Sequence, residues 1–181
     1  MIKMILFIKT IGIFILCAAC SCSGSQNKPK RPNNSKQSSE SFIQMNKKLV
    51  GDEQRIIEQF VADNNLDMKP TETGLWYSIT NEGTGDYVSK GRIVTINYTI
   101  RLLDNSLIYS SENDGTKEFL VGQGGVETGL EEGILLLKKG SKATFIMPPH
   151  LAHGLLGDDG KIPSRAILLY DVEVIDLKNR K

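Results

Sequence analysis

Glu127-Thr128-Gly129-Leu130-Glu131-Glu132-Gly133 is followed by Lys138-Lys139-Gly140, by Pro148-Pro149-His150-Leu151-Ala152-His153-Gly154, and by Tyr170-Asp171-Val172-Glu173-Val174. Within this stretch Val126, Leu130, Ile134 and Leu137 recur at helical spacing. Acidic residues stand near the start, two lysines in the last turn and Gly140 just after, which predicts a short amphipathic helix over 126–137. From Lys142 to Met147, Ala143, Phe145 and Met147 alternate with Lys142 and Thr144. Pro148 and Pro149 offer no N–H to a ladder, so this strand ends there. Leu168, Tyr170, Val172 and Val174 alternate against Leu169, Asp171 and Glu173, the pattern of an antiparallel strand with one buried face.

Upstream, Val94, Ile96, Tyr98, Ile100 and Leu102 share one face of a long strand, which turns Tyr98 inward. Asp104-Asn105-Ser106 supplies a turn, and Leu107–Ser110 and Glu118–Val121 read as two short strands. Leu75, Tyr77 and Ile79 alternate before the turn-rich segment 81–86. The expected architecture is α+β, with about five antiparallel strands and one short helix covering the apolar face of the sheet.

The remainder of the 181 residues reads as appendages to one domain. Lys3 and Lys9 precede an apolar run, Ile11 to Ala19, too short for a comfortable membrane span and suited to an export signal over 1–19. All three cysteines, Cys17, Cys20 and Cys22, lie here, so the folded part holds no disulfide framework. Residues 20–41 are rich in Ser, Asn, Gln, Lys and Pro, the composition of a flexible tether. Leu49, Ile56, Ile57, Phe60 and Val61 predict a helix from about 52 to 64, after a turn at 42–50, within an N-terminal helical segment 42–70. Asn64-Asn65 interrupts its pattern.

Charge excludes some functions. Six cations but only Glu40 among carboxylates precede residue 42, so the rest of the chain is mildly acidic. A nucleic-acid partner would call for a basic face. No phosphate loop of the G-x-x-x-x-G-K type follows Gly122, Gly124 and Gly125, and no G-x-S-x-G elbow occurs. His150 and His153, with Asp158 and Asp159 nearby, make too small a set for a metal site. No cofactor is expected.

The order of pieces from Glu127 to Leu177 resembles the FKBP-type peptidyl-prolyl isomerases, and the resemblance covers roughly 71–178, within a domain over 71–181. It implies an antiparallel, strongly twisted sheet wrapped around one short helix, with a substrate proline held in an apolar hollow between them. The implied lining is Tyr98, Ile108, Tyr109, Val126, Glu127, Leu130, His153, Ile162 and Tyr170. Of these Tyr98, Val126 and Ile162 match the family pattern, and Glu127 would offer its backbone N–H to the substrate carbonyl. Others depart from it. Ile108-Tyr109 replaces a Phe-Asp pair, so a buried aspartate is missing, and Leu130 stands for a tryptophan on the hollow floor. Lys117 stands for an aromatic, His153 for a tyrosine and Tyr170 for a phenylalanine. Tyr109→Asp would then be expected to raise a weak activity. The implied function is isomerisation of X–Pro bonds in exported polypeptides, the alternative a non-catalytic binding module or chaperone on the same fold.

Leu16-Cys17-Ala18-Ala19-Cys20-Ser21-Cys22 resembles a bacterial lipoprotein signal, with Cys20 the preferred acylation site and Cys22 the alternative. Two acyl chains would hold the protein at a membrane where one gives only marginal anchoring. Joined to the double-proline loop, this signal looks like the gliding-motility-associated FKBP-type lipoproteins of Bacteroidetes, with the domain facing the periplasm. Some FKBP-type proteins dimerise through an N-terminal helical segment, and here 42–66 would either do so or pack back on its own domain.

Overall fold

The structure is a computed structural model that describes residues 34–180. The expected signal segment, both candidate lipid sites and the first part of the tether lie outside these residues. Among these residues seven strands form one antiparallel sheet: β1 (Lys69–Pro70), β2 (Trp76–Asn81), β3 (Arg92–Leu102), β4 (Leu107–Ser110), β5 (Lys117–Leu120), β6 (Lys142–Met147) and β7 (Leu168–Asn179). Their order is β1-β2-β6-β7-β3-β4, and β5 also pairs with β3. Each strand read from alternation is present. The count rises from about five to seven because each short segment keeps its own ladder and Lys69–Pro70 adds an edge pairing.

Register places large side chains in rows. Tyr77 pairs with Phe145, Phe145 with Tyr170, Tyr170 with Ile100, and Ile100 with Tyr109, so one row crosses five strands on the concave face. Directly opposed residues of an antiparallel pair share a face. Ile96, Phe145, Tyr170 and Val174 are accordingly fully buried.

Against this face lies α3 (Thr128–Ile134). It is shorter than the expected 126–137. Beyond Ile134 the chain tightens into i→i+3 bonds, from Leu135 N–H to Glu132 and from Leu137 N–H to Ile134, which tuck Leu137 into the core. Gly129 and Gly133 share the helix face nearest the sheet. A Cβ on Gly133 would stand 2.7 Å from the Phe145 ring, and one on Gly129 3.0 Å from the Leu151 carbonyl. These two glycines set how closely helix and sheet approach.

The N-terminal segment departs most from expectation. Instead of a turn and a helix over 52–64, one continuous helix, α1, runs from Asn34 to Asp63. The last eight residues of the stretch read as tether are therefore helical. Ser, Gln, Lys and Glu hold a helix when it propagates from a packed end, since extension costs little once the first turns exist. The C-terminus behaves as expected. Asn65 is left-handed, with its N–H on Ala62 and that of Leu66 on Val61, a Schellman ending. The second half of α1 packs back on the domain through fully buried Ile57 and a Glu53–Arg165 ion pair. Among the described residues no helix is long and apolar enough to cross a membrane.

Candidate functional site

The sheet opens where β3 changes partner. β4 pairs with Thr99 to Arg101 and β5 with Ile93 to Ile96. Tyr98 lies in the gap, where its N–H is taken by the Ser111 hydroxyl of the short helix α2 (Ser111–Asp114). Beneath the gap is a hollow of about 350 Å³ lined by Tyr98, Ile100, Tyr109, Asp114, Lys117, Glu127, His153 and Ile162. A second cavity of about 450 Å³ shares Lys117, Glu127 and His153 and adds Gly124, Gly125, Val126 and Ala152. The shared three form a wall between the two.

Of the candidates from sequence, Tyr98, Tyr109, Glu127, His153 and Ile162 converge on the hollow, and Val126 lines the adjoining cavity. Tyr170 stands behind the hollow, fully buried, with its ring 5.9 Å from that of Tyr98. Like Tyr170, which lines neither cavity, two further candidates fall outside. Leu130 is sealed in the core and lines neither cavity, because α3 lies too close to the sheet to bare its inner face. Ile108 is half-buried beside the core, one register step away from the face that carries Tyr109. The sequence reading missed Ile100, Asp114 and Lys117 as lining. For Ile100 a signal existed, since it shares Tyr98's strand parity. Lys117 was seen only as a departure from the family, although its position opposite Ile96 turns it inward.

The electrostatics of the wall set this site apart from a purely apolar hollow. The Glu127 carboxylate is 8% exposed, with His153 Nε2 3.2 Å from Oε1 and Lys117 Nζ 3.7 Å from Oε2. Lys117 donates to the Tyr170 hydroxyl at 3.1 Å and stands 5.0 Å and 5.7 Å from the ring centroids of Tyr98 and Tyr170. Carboxylate and two aromatic faces thus hold one ammonium. Burial, together with Glu127, raises the Tyr170 pKa, and burial with Asp114 and Glu127 raises that of Tyr98, so both phenols stay neutral.

The missing aspartate at 109 has a counterpart from another part of the chain. Tyr109 Oη donates to Asp158 Oδ2 at 2.5 Å, while Oδ1 accepts from the Gly160 and Ile162 N–H groups at 2.9 and 2.8 Å. The Tyr109 bond leads these interactions in holding the Asp158 pKa at about 2, and the same bond raises that of Tyr109. At the other side of the hollow, Glu127 precedes α3 with φ −55° and ψ 140°. No backbone carbonyl among the described residues accepts its N–H. The loop beside it is fixed by Glu131, whose carboxylate takes the Gly122 and Gly124 N–H groups. The two histidines serve separate places: His150 Nε2 lies 3.0 Å from the Thr73 carbonyl, His153 on Glu127.

A single antiparallel sheet, a short helix across it and an aromatic hollow at the gap define a domain of the FKBP type. The family model for FKBP-type peptidyl-prolyl cis-trans isomerase matches residues 85–175, half of the chain, and the chain belongs to that family. It is 38% identical over 123 residues to a probable FKBP-type peptidyl-prolyl cis-trans isomerase FkpA of Neisseria meningitidis, covering 66% of this chain and 44% of the relative. To FkpA of Escherichia coli it is 33% identical over 121 residues, covering 67% and 43%. The chain thus spans less than half the length of these curated relatives. Among solved structures, that of AtFKBP13 superposes with a TM-score of 0.59 at 30% identity, covering 61% of this chain and 98% of that one. Escherichia coli FkpA superposes with a TM-score of 0.58 at 27% identity, covering 80% and 73%.

Proposed function

We propose that this protein catalyses cis/trans isomerisation of X–Pro bonds in polypeptides of the cell envelope. The carrying observation is the unclaimed Glu127 N–H at the edge of a hollow whose walls include Tyr98, Ile100 and Ile162. Rotation about the X–Pro bond faces a barrier of about 18 to 20 kcal/mol because the planar amide loses its resonance. The twisted amide has a less charged oxygen than the planar one, so a hollow that strips water from the bond favours it. A surface that binds the twisted form more tightly than the planar one supplies the rate, and no nucleophile or acid is needed. The Glu127 N–H would hold the substrate carbonyl while the prolyl ring rests against Tyr98 and Ile162. Slow X–Pro isomerisation limits folding, which gives such an activity its use.

The test is Glu127→Pro beside Glu127→Ala, since φ −55° already suits proline. Both variants lose the carboxylate and only the first loses the N–H. Protease-coupled or NMR exchange rates on an X–Pro peptide should fall much further in Glu127→Pro. Equal rates in the two folded variants would remove the N–H from the mechanism. A wild-type protein that is folded and leaves the uncatalysed rate unchanged would instead support the binding-module reading. Phe42, Ile43, Met45 and Val50, each at least 45% exposed along α1, favour that second reading, as they would hold an unfolded segment.

The same exposed side chains suit pairing of two copies through 42–66, which light scattering of wild type against Phe42→Ser would decide. Lipid attachment at Cys20, facing the periplasm, rests on the residues around that cysteine. Loss of fatty-acid labelling in Cys20→Ser but not in Cys22→Ser is the expected result. A place in gliding motility rests on the resemblance alone, and loss of gliding in a strain lacking the protein is its test.

A further inference from the structure

We propose that Tyr109 is a positioning residue for the hollow, acting through Asp158 to hold the wall residue Ile162 in place. The proposal deepens the isomerase reading and rests on it. Ile162 is 4% exposed and lines the hollow from the 154–166 loop rather than from the sheet. Nothing in a strand ladder fixes it. Its backbone is held at one residue: Asp158 Oδ1 takes the N–H of Gly160 and of Ile162, and the Asp158 N–H returns to the Ile162 carbonyl at 3.3 Å. The turn is tight enough that a Cβ on Gly157 would fall 2.1 Å from that carbonyl, and Gly157 has φ +83°.

Besides the packing of Ile162 in the core, the turn is tied to β4 by the Tyr109 hydroxyl on Asp158 Oδ2. Tyr109 is placed by its pairing with Ile100, whose side chain also lines the hollow. Lys161 closes the contact from outside, with Nζ 4.9 Å from the Tyr109 ring and donating to the Ile108 carbonyl at 3.3 Å. A Cβ on Gly160 would stand 3.1 Å from the Tyr109 oxygen, so a side chain there would crowd the hydroxyl where strand and turn meet. One row of contacts therefore runs from the sheet through Ile100, Tyr109 and Asp158 to Ile162. A hydrogen bond to a charged acceptor is among the stronger ones available, and at a half-buried position its loss frees the turn without unfolding the domain.

The test uses the full chain with Tyr109→Phe, Asp158→Asn, the double variant and Tyr109→Asp. Kinetics on an X–Pro peptide are read together with the amide proton shifts of Gly160 and Ile162. Tyr109→Phe should raise KM by roughly tenfold with a smaller fall in kcat, and the Gly160 and Ile162 amides should move. The double variant should lose no more than the worse single one, since both changes act on one contact. Tyr109→Asp, which sets a second carboxylate against Asp158, should be the weakest of the series, contrary to the gain expected from sequence. Wild-type KM and unmoved amides in Tyr109→Phe would overturn the proposal. Absence of catalysis in the wild type would instead count against the isomerase reading, and the amide shifts with the Kd for a proline peptide would then decide the role of Tyr109.

Discussion

Lys117 Nζ stands 3.7 Å from Glu127 Oε2, while that oxygen is buried and makes no hydrogen bond. The ammonium is its near countercharge, His153 attending the other oxygen. Removing one member of a buried pair is costly because the remaining charge is stranded, whereas replacing both by apolar groups is often neutral. Lys117→Met should therefore lower unfolding stability by about 1 to 3 kcal/mol in urea titration. Lys117→Met with Glu127→Leu should recover most of that loss. A double variant as unstable as the sum of the two singles would show that the residues do not act as a pair.

Helix α3 owes its depth to Gly133. A methyl group there meets the Phe145 ring at 2.7 Å, and Phe145 is fully buried between Tyr77 and Tyr170 in register. Gly133→Ala gains helix propensity of roughly 0.5 to 1 kcal/mol yet forces overpacking that costs about 1 to 3 kcal/mol. A net loss of stability is expected, and a thermal midpoint at or above that of the wild type would contradict it.

Acid should loosen the 157–162 turn at a defined point. The Asp158 carboxyl lies at about 2 in the folded protein against an ordinary 3.8, held down first by the Tyr109 hydroxyl. A depressed carboxyl contributes stability that is fully present above its unfolded value and disappears as pH falls through the folded one. Wild type and Asp158→Asn should differ in urea midpoint at pH 5 and converge as pH falls from about 4 to about 2. A difference that persists undiminished at the acid end would assign the stabilisation to something other than this carboxylate.

Ile57 is the fully buried anchor of α1, and Glu53 adds its pair with Arg165 on the loop that leads into β7. Truncating a buried isoleucine costs about 2 to 5 kcal/mol where the site cannot collapse. In Ile57→Ala that cost should fall on docking of the helix before it falls on the sheet. Hydrogen exchange in the second half of α1 should then quicken while β3 and β7 remain protected. Uniform loss of protection would show that helix and sheet unfold as one unit.

The alternation of Val94 to Leu102, of Ala143 to Met147 and of Leu168 to Val174 determined which residues form strands and which face is buried. Neighbours two apart carry that information without any partner. The same holds for the helix over Leu130 and Ile134 and for the Asn64-Asn65 ending. Tyr98, Tyr109, Glu127, His153 and Ile162 were expected together from the family resemblance, and all five line the hollow. Tertiary structure decided what local periodicity does not encode. It turned Lys117 inward through its pairing with Ile96, and it sealed Leu130 by bringing Gly133 against Phe145. It also carried Asp158 across 49 residues to the hydroxyl of Tyr109. Such contacts depend on register between distant strands and on the path of a loop, and neither leaves a trace in the spacing of adjacent residues.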